Sequence, residues 1–325
     1  MSFVKRVLSR RALTYASDPA AWHAVAAERV WRLGTPCAPV RDVSPLRGVV
    51  PGVYWPTEYE WPVAARFVEP LHTGLTTLTT VEPRTISQPY QGIVVFDICY
   101  PTRTFSIAVD YHDLPAVNAE CLAQVALYFK MQHRRSGYDD PKILPGGYVA
   151  SRESLYRHYC RLRALRKRGP KSDVYGRFGT RFSAEIRRRA IDILQHQTKF
   201  KFTGGTSLAI YMQSLREAAQ SRVCIDMPGN GSFCYRLVEY LAIGCCIVAP
   251  RHTSIMYPEL RDREHIVYCR DDLADLAELC AYYVENDEAR ETVSANAARF
   301  FDENLHPEQL AGYYMRTCNE RLGAH

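Results

Sequence analysis

The chain has 325 residues, 47% of them hydrophobic, with a net charge of +6 and a pI near 8.7. That length and apolar content support large cores and favour two domains over one. The mild basicity suits a phosphorylated small molecule, nucleic acid or an anionic membrane surface, and selects none of them. Eleven cysteines without a CxxC pair exclude a zinc or disulfide framework recognisable by spacing, and point to single buried thiols in a reducing cytosol.

No apolar run approaches the roughly 18–20 residues of a membrane span, and the expected location is cytoplasmic. The first segment, MSFVKRVLSRRAL, lacks the long apolar core of a signal peptide. Basic and amphipathic, it reads as a solvated helix or as a weak contact with the inner membrane face. Between residues 39 and 70, six prolines lie among aromatics, a pattern of irregular, partly extended chain. From Gly92 the pattern clears. IVVFDI (93–98) and FSIAVD (105–110) are continuous apolar runs expected to form buried strands, and 117–132 (VNAECLAQVALYFKMQ) reads as a helix.

Basic residues concentrate between 152 and 189. Arg161, Arg163, Arg166, Lys167 and Arg168 read as a solvated helix face, or as a patch for an anionic glycan, lipid phosphate or DNA. The Gly169-Pro170 turn is the expected boundary between an N-terminal domain (1–168) and a C-terminal domain (169–305). Beyond it the order reads strand 173–178, helices 183–197 and 207–219, strand 222–226, helix 232–243, strands 245–249 and 265–269, then helices to the end. Strands alternating with helices predict parallel sheets wound on both faces.

The segment VCIDMPGNGSFCYRLVEYLAIGCCIVAP (223–250) carries the chemistry. PGNG makes a turn around Asn230, and Ser232 is the expected N-cap of the helix that follows. Gly229 and Gly231 let backbone approach a ligand, and the first helical N–H groups attract an anion. At about 100° per residue, Ser232, Arg236 and Glu239 share one face, with Leu237, Val238 and Leu241 opposite. Arg236 offers a bidentate donor to phosphate oxygens. Glu239 can accept from ribose or sugar hydroxyls, or orient Arg236. The plain alternative is a capped helix with an Arg–Glu surface pair. The apolar strand GCCIVAP that follows restores a βαβ unit and favours a ligand site.

The run GNGSFCYRLVEYLAIGCCIVAPRH resembles the nucleotide-sugar-binding segment of GT-B glycosyltransferases, nearest to the exostosin-like and protein O-glucosyltransferase-like group. The matching elements are Ser232, Arg236, Glu239-Tyr240-Leu241 and Gly244 after the Gly-rich turn. DVYGRFGTRF (173–182) resembles the Arg-containing strand and loop that open the family's C-terminal domain, and DYHDLP with ALYFKMQ resembles the end of its N-terminal domain. The likeness spans roughly 90–300. It implies an α/β fold of GT-B type, two Rossmann-like domains with parallel sheets facing across a cleft, and a final helix (306–325) packing back on the first domain. It further implies a nucleoside diphosphate sugar bound by the C-terminal domain, with Arg177 or Arg181 on the diphosphate and Tyr235 beside it, and transfer to a hydroxyl of a glycan or related acceptor. Cys234-Tyr235 occupies positions that vary among relatives, so donor identity does not carry over.

Cationic side chains and helix N-termini can stabilise a departing diphosphate without metal. The chain has no Asp-x-Asp, the metal signature of the rival GT-A class, so the expectation is a site with no metal and no cofactor beyond the donor co-substrate. For a base that takes the acceptor proton, the candidates are Asp97 after one strand-like run, and Asp110 and Asp113 after the other. Asp110 and Asp113 also suit Asx-turns or caps. His112 can orient a neighbour. Lys130 can reach the phosphates or snorkel to the surface, and His252 can meet a sugar or base or sit idle in its loop. The rivals are a DNA-modifying glycosyltransferase on the same fold and a non-catalytic nucleotide-sugar-binding module.

Overall fold

The computed structural model describes residues 19–33, 50–59, 61, 65–207 and 209–323. The reading of the first segment as a surface helix lies outside these residues. Helix α1 (Pro19–Arg32) precedes a six-stranded sheet. Its strands are β1 (Gly52–Pro56), β2 (Val81–Arg84), β3 (Ile93–Cys99), β4 (Thr104–Asp110), β5 (Leu127–Lys130) and β7 (Ile143–Pro145), in the order β2-β1-β3-β4-β5-β7. The two apolar runs are β3 and β4.

This first sheet is mixed, not parallel. Helix α2 (Ala65–Leu78) carries the chain from β1 to its parallel neighbour β2, and β4, β5 and β7 are mutually parallel, but β3 runs antiparallel to both β1 and β4. The cause is local. Tyr100 N–H donates to the Arg103 carbonyl at 2.8 Å, closing a tight turn, and a parallel join needs a crossover of about a dozen residues. The expected helix over 117–132 is also corrected. Asn118 caps a short helix α3 (Ala119–Gln124), accepting the Cys121 N–H at 2.9 Å, and LYFK continues as the fully buried strand β5. A continuous apolar run carries no period to separate strand from helix.

The second unit follows α4 (Ser154–Arg166). It contains β8 (Ser172–Arg177), α5 (Ala184–His196), β9 (Phe202–Gly205), α6 (Tyr211–Ala219), β10 (Ser221–Ile225), α7 (Tyr235–Ile243), β11 (Cys246–Pro250) and β13 (Val267–Cys269). These strands form an all-parallel sheet ordered β13-β11-β10-β8-β9. Numbered by entry, that is order 2-1-3-4-5, and the direction of winding reverses between β8 and β10, where doubly wound sheets bind ligands. Strand β9 has no strand-like sequence. Its Gly204 has φ +135°, and a Cβ there would lie 2.0 Å from the Gly176 carbonyl, so a glycine is required where β9 meets β8. Helices α8 (Leu276–Glu285), α9 (Asp287–Phe300) and α10 (Pro307–Leu322) complete the chain.

The two units share one continuous core, running from Phe96 and Phe129 through Tyr148 and Phe233 to Leu241 and Tyr314. A small antiparallel pair, β6 (His133–Arg134) with β12 (Ser254–Ile255), joins them again. Helix α10 lies on the first unit. A Cβ at Gly74 of α2 would meet the Pro307 carbonyl at 2.1 Å, and Tyr313 Oη donates to the Pro145 carbonyl at 2.7 Å.

The basic run of α4 is only partly a solvated face, because three of its arginines are engaged by neighbouring backbone. Arg161 donates to the Trp31 carbonyl in α1. Arg163 donates to the Ala242 carbonyl at 2.7 Å and the Ala298 carbonyl at 3.2 Å, in the last turns of α7 and α9, and grips Asp302 at 2.8 and 2.9 Å. Arg166 donates to the Ser221 carbonyl at 2.6 Å. Cations meeting helix C-termini stabilise them, so these arginines dock α4. Lys167 and Arg168 stay exposed.

Among the described residues nine cysteines are free thiols, seven of them buried, but Cys160 is disulfide-bonded, which departs from the expectation of thiols throughout. Among the described residues no helix is long and apolar enough to cross a membrane.

Candidate active site

A cavity of ≈ 480 Å³ opens between the units at the β8/β10 switch point. Tyr175, Arg177, Arg236 and Glu239 line it from the second unit, and Asp113 and Ser151 from the first. Asp226, just past β10, is buried and anchors the wall. Arg236 Nε lies 3.0 Å from Asp226 Oδ1, and Nη2 donates to the Met227 carbonyl at 2.8 Å. The guanidinium packs over the Phe178 ring at 5.3 Å. Its Nη1 has no partner among the described residues. Burial pushes the Asp226 carboxyl above the usual range against the pull of Arg236. Burial also works against the Arg236 charge, yet Asp226 holds its pKa above the ordinary value.

The partner of Arg236 is therefore Asp226 and not Glu239. Glu239 is buried, accepts a hydrogen bond from Ser151 Oγ at 2.6 Å across the interface, and is pushed up in pKa by burial. Arg236 and Glu239 do share a helix face, as their spacing of three requires, but Ser232 is outside the helix. Helix α7 starts at Tyr235 after Cys234, which makes no side-chain cap. Ser232 Oγ instead accepts the Thr253 N–H at 2.8 Å, tying the glycine loop to the loop after β11. The loop closes on itself, with Gly229 N–H donating to the Gly231 carbonyl at 3.0 Å, and this delays the helix by about a turn.

The glycines serve a different close approach from the one expected. A Cβ on Gly231 would lie 2.2 Å from the Asp113 carbonyl and 2.5 Å from Gln132 Nε2. What crowds Gly231 is the first unit. Gln132, fully buried, donates to the Phe233 carbonyl at 3.1 Å and accepts the Phe233 N–H at 3.2 Å, clasping the loop like a strand partner. A Cβ on Gly229 would meet Cys234 Sγ at 2.8 Å. The Asn230 side chain hydrogen-bonds Asp113. Tyr235 packs into the interface against Phe67 and Tyr148, with ring centroids 5.5 and 5.6 Å away.

Of the two arginines in 173–182, Arg177 ends β8 on the cavity wall, held by Glu217 Oε2 at 2.9 and 3.1 Å. Arg181 is exposed, packs on the Phe182 ring at 5.1 Å, and is not among the residues lining the cavity. Arg187 is an unexpected member. It is buried, lines the cavity, and donates to the Pro228 carbonyl at 2.8 Å and the Gly179 carbonyl at 2.5 Å, bracing the glycine loop. Burial and then the nearby Arg236 lower its pKa.

The three candidate bases separate cleanly. Asp97 accepts from Ser106 Oγ at 2.7 Å within the β3–β4 ladder. Because β3 runs antiparallel to β4, with Ile93 opposite Asp110, Asp97 lies toward the end of the sheet away from the cavity. Asp110 is sealed. Lys130 Nζ is 3.0 Å from its Oδ2, Tyr128 Oη donates to the same oxygen at 2.5 Å, and the His112 N–H donates to Oδ1 at 2.8 Å. Lys130 is equally buried and also donates to the His112 carbonyl at 3.2 Å, so it neither snorkels nor reaches the cavity. Burial lowers its pKa against the pull of Asp110. Asp113 alone of the three lines the cavity. Burial raises its pKa, opposed first by the hydrogen bond with Asn230. His112 is exposed, its Nε2 2.7 Å from the Gln91 carbonyl, and makes no hydrogen bond to Asp113. His252 is buried against Phe233, its Nδ1 3.0 Å from Tyr268 Oη, with its pKa held down to about 3 by burial and then by Arg135.

Signals for the unexpected residues were present. Asp226 sits at a strand's carboxyl end, as Asp97 and Asp110 were read to do. Arg187 shares the i, i+3, i+4, i+7 spacing of Ala190, Ile191 and Leu194, which marks it as facing inward. Gln132 and Ser151 carry no such signal. Among the described residues, no group of three or more His, Cys, Asp or Glu could hold a metal ion.

Fold and site together define an α/β protein of two units, with a cavity at the switch point of its second, all-parallel sheet. Residues 162–316, just under half of the chain, match the glycosyl transferase-like family model. Among solved structures, the C-terminal domain of a glycosyl transferase group 1 family protein (LpcC) from Francisella tularensis is 14% identical, with TM-score 0.30, over 44% of this chain and 91% of that one. A glycosyltransferase from Rickettsia africae ESF-5 is 10% identical, with TM-score 0.41, over 67% of this chain and 71% of that one. No curated protein matches the chain.

Proposed function

We propose that the protein transfers a sugar from a nucleoside diphosphate sugar to an acceptor hydroxyl, with the donor in the ≈ 480 Å³ cavity. The observation that carries this reading is Arg236, locked by Asp226 on the wall of the switch-point cavity with Nη1 unpaired among the described residues. A guanidinium so fixed can meet a diphosphate without reorganising, which is what stabilises a departing anion. Arg177 adds charge on the same wall, and Glu239 with Ser151 offers a hydroxyl-recognising pair. In this reading the units divide near Gly169, residues 169–305 hold the donor, and the likeness to the exostosin-like and protein O-glucosyltransferase-like group belongs to the proposal.

The acceptor oxygen bonds to the anomeric carbon as the bond from that carbon to the diphosphate breaks. The electron pair leaves with the nucleoside diphosphate, and the acceptor proton passes to Asp113. Its raised pKa suits a base that must work near neutrality. Fixed cations take the place of a metal.

Thermal melts with UDP, GDP, CDP, ADP and TDP in EDTA test the donor. A ligand at a hundredfold excess over its Kd stabilises the native state by about 2.7 kcal/mol. One diphosphate is expected to raise Tm, with the shift lost in Arg236→Ala. No shift from any of them overturns the donor assignment, and a shift that requires added Mg²⁺ overturns metal independence. Asp113→Asn is expected to keep the nucleotide shift and lose transfer.

A further inference from the structure

Across the glycine loop from the donor cavity lies a second, more open cavity of ≈ 810 Å³. Asp113 and Asn230 line both, so the candidate base stands where the two meet. Three arginines reach the second cavity: Arg134 and Arg135 from the first unit, and Arg251 from the end of β11. The β6–β12 pairing, with Arg134 opposite Ser254, holds the two sides in fixed register.

These arginines are not equivalent. Arg135 is committed, paired with Glu259 and donating to the His252 carbonyl at 3.4 Å. Arg134 and Arg251 have no ion-pair partner among the described residues. Each instead lays its guanidinium face on a tyrosine ring, Arg134 on Tyr138 at 5.0 Å and Arg251 on Tyr268 at 5.1 Å. Stacking uses the face of the guanidinium and leaves its N–H edge available. Two such edges, one from each unit, present a total charge of +2 to the same opening. A carboxylate would answer one of them, whereas a phosphate monoester, carrying about −1.5 to −2 at pH 7 with three acceptor oxygens, answers both. Asp271 also lines this cavity, and shares with Arg251 the lining of a neighbouring one, so a negative charge stands on the Arg251 side without an ion pair to it.

We infer that the second cavity binds the acceptor, and that the acceptor carries a phosphate monoester seated between Arg134 and Arg251, with its reacting hydroxyl toward Asp113. This inference rests on the donor reading above. It also moves anion recognition away from the α4 run, where Arg161, Arg163 and Arg166 are engaged by backbone carbonyls, to two arginines without an ion-pair partner among the described residues.

The test uses the full chain and three soluble probes: glucose 6-phosphate, glucuronate and glucose, each titrated with and without the nucleoside diphosphate that shifts Tm. Vesicles of phosphatidic acid, with phosphatidylcholine as control, form a fourth arm. Glucose 6-phosphate is expected to bind, with Kd weakened roughly tenfold or more in Arg134→Ala and in Arg251→Ala, since each removes a charged hydrogen bond. Both variants are expected to keep the wild-type nucleotide shift, which also reports that they fold. Arginine-dependent binding to phosphatidic acid but not to the sugar phosphate supports the same site and assigns its phosphate to a lipid headgroup. Equal binding of glucuronate or glucose, or no binding of either phosphate probe, overturns the inference. A nucleotide shift lost in the two variants also overturns it, by giving both arginines to the donor. If wild-type protein binds glucose 6-phosphate but no nucleotide, the donor reading fails and the anion site survives it.

Discussion

Each unit places an aspartate at a strand's carboxyl end and pairs it with a cation at 3.0 Å, Asp110 with Lys130 in the first and Asp226 with Arg236 in the second. Both carboxylates are 1% exposed, but Lys130 is 0% exposed and Arg236 17%. The ammonium of Lys130 is a point charge consumed by Asp110 and one carbonyl, and the pair is closed on all sides. The guanidinium of Arg236 is a planar fork on the cavity wall that can satisfy Asp226 and Met227 and still leave Nη1 unpaired among the described residues. Similar pairs thus serve different ends. A buried ion pair contributes to function here only where the cation has donors to spare on an open side.

The largest expected effect tests the closed pair. Lys130→Met strands a buried charge on Asp110 and is expected to cost about 3–5 kcal/mol in denaturant unfolding. A loss below about 1 kcal/mol would mean that solvent reaches Asp110 and that the contrast is wrong. Arg236→Lys keeps the charge beside Asp226 but removes the fork. Transfer is expected to fall roughly 10²–10³-fold with stability changed far less, and retained activity would show that any cation suffices on the open side.

His252 adds a buried base to the second unit and a pH dependence with a definite sign. Its folded pKa of about 3 lies below the ordinary 6.5, so the unfolded chain binds the extra proton between these values. The His252 contribution is therefore intact above pH 6.5 and falls by about 1.4 kcal/mol per pH unit below it, beside a like contribution from His306, held down to about 4 by burial. His252→Gln is expected to take about 1.4 kcal/mol per pH unit out of the slope in melts between pH 6.5 and pH 4.5, leaving the part that His306 supplies. An unchanged slope would place His252 in contact with water. The smallest expected effect is at the seam. Gly231→Ala drives a Cβ to 2.2 Å from the Asp113 carbonyl, and is expected to cost about 1–3 kcal/mol by overpacking. A cost near zero would mean that the units are free to shift apart.

Much of the second unit was legible in the order of residues, because its strands are apolar runs separated by amphipathic helices and its glycine turn is unmistakable. The shared face of Arg236 and Glu239 follows from their spacing alone. The first unit was harder. Asp97 was placed at the wrong end of its sheet because nothing in IVVFDI states the direction of its neighbours, and a four-residue turn reversed it. Asp110 reads as well as Asp113 until Lys130 and Tyr128 arrive from β5 and close it off. Ser232 reads as a cap until the Thr253 N–H, 21 residues on, takes its hydroxyl.

Residue order therefore settles part of what local physics controls: most of the alternation of strand and helix in the second unit, the glycine turn, and the shared face of Arg236 and Glu239. It does not settle which charges remain open. That depends on contacts such as the clasp between Gln132 and Phe233, 101 residues apart, and on the seating of one unit against the other. A charge is worth one thing to the fold when sealed and another to a ligand when exposed. Exposure belongs to the packed assembly of both units, so no single segment encodes it.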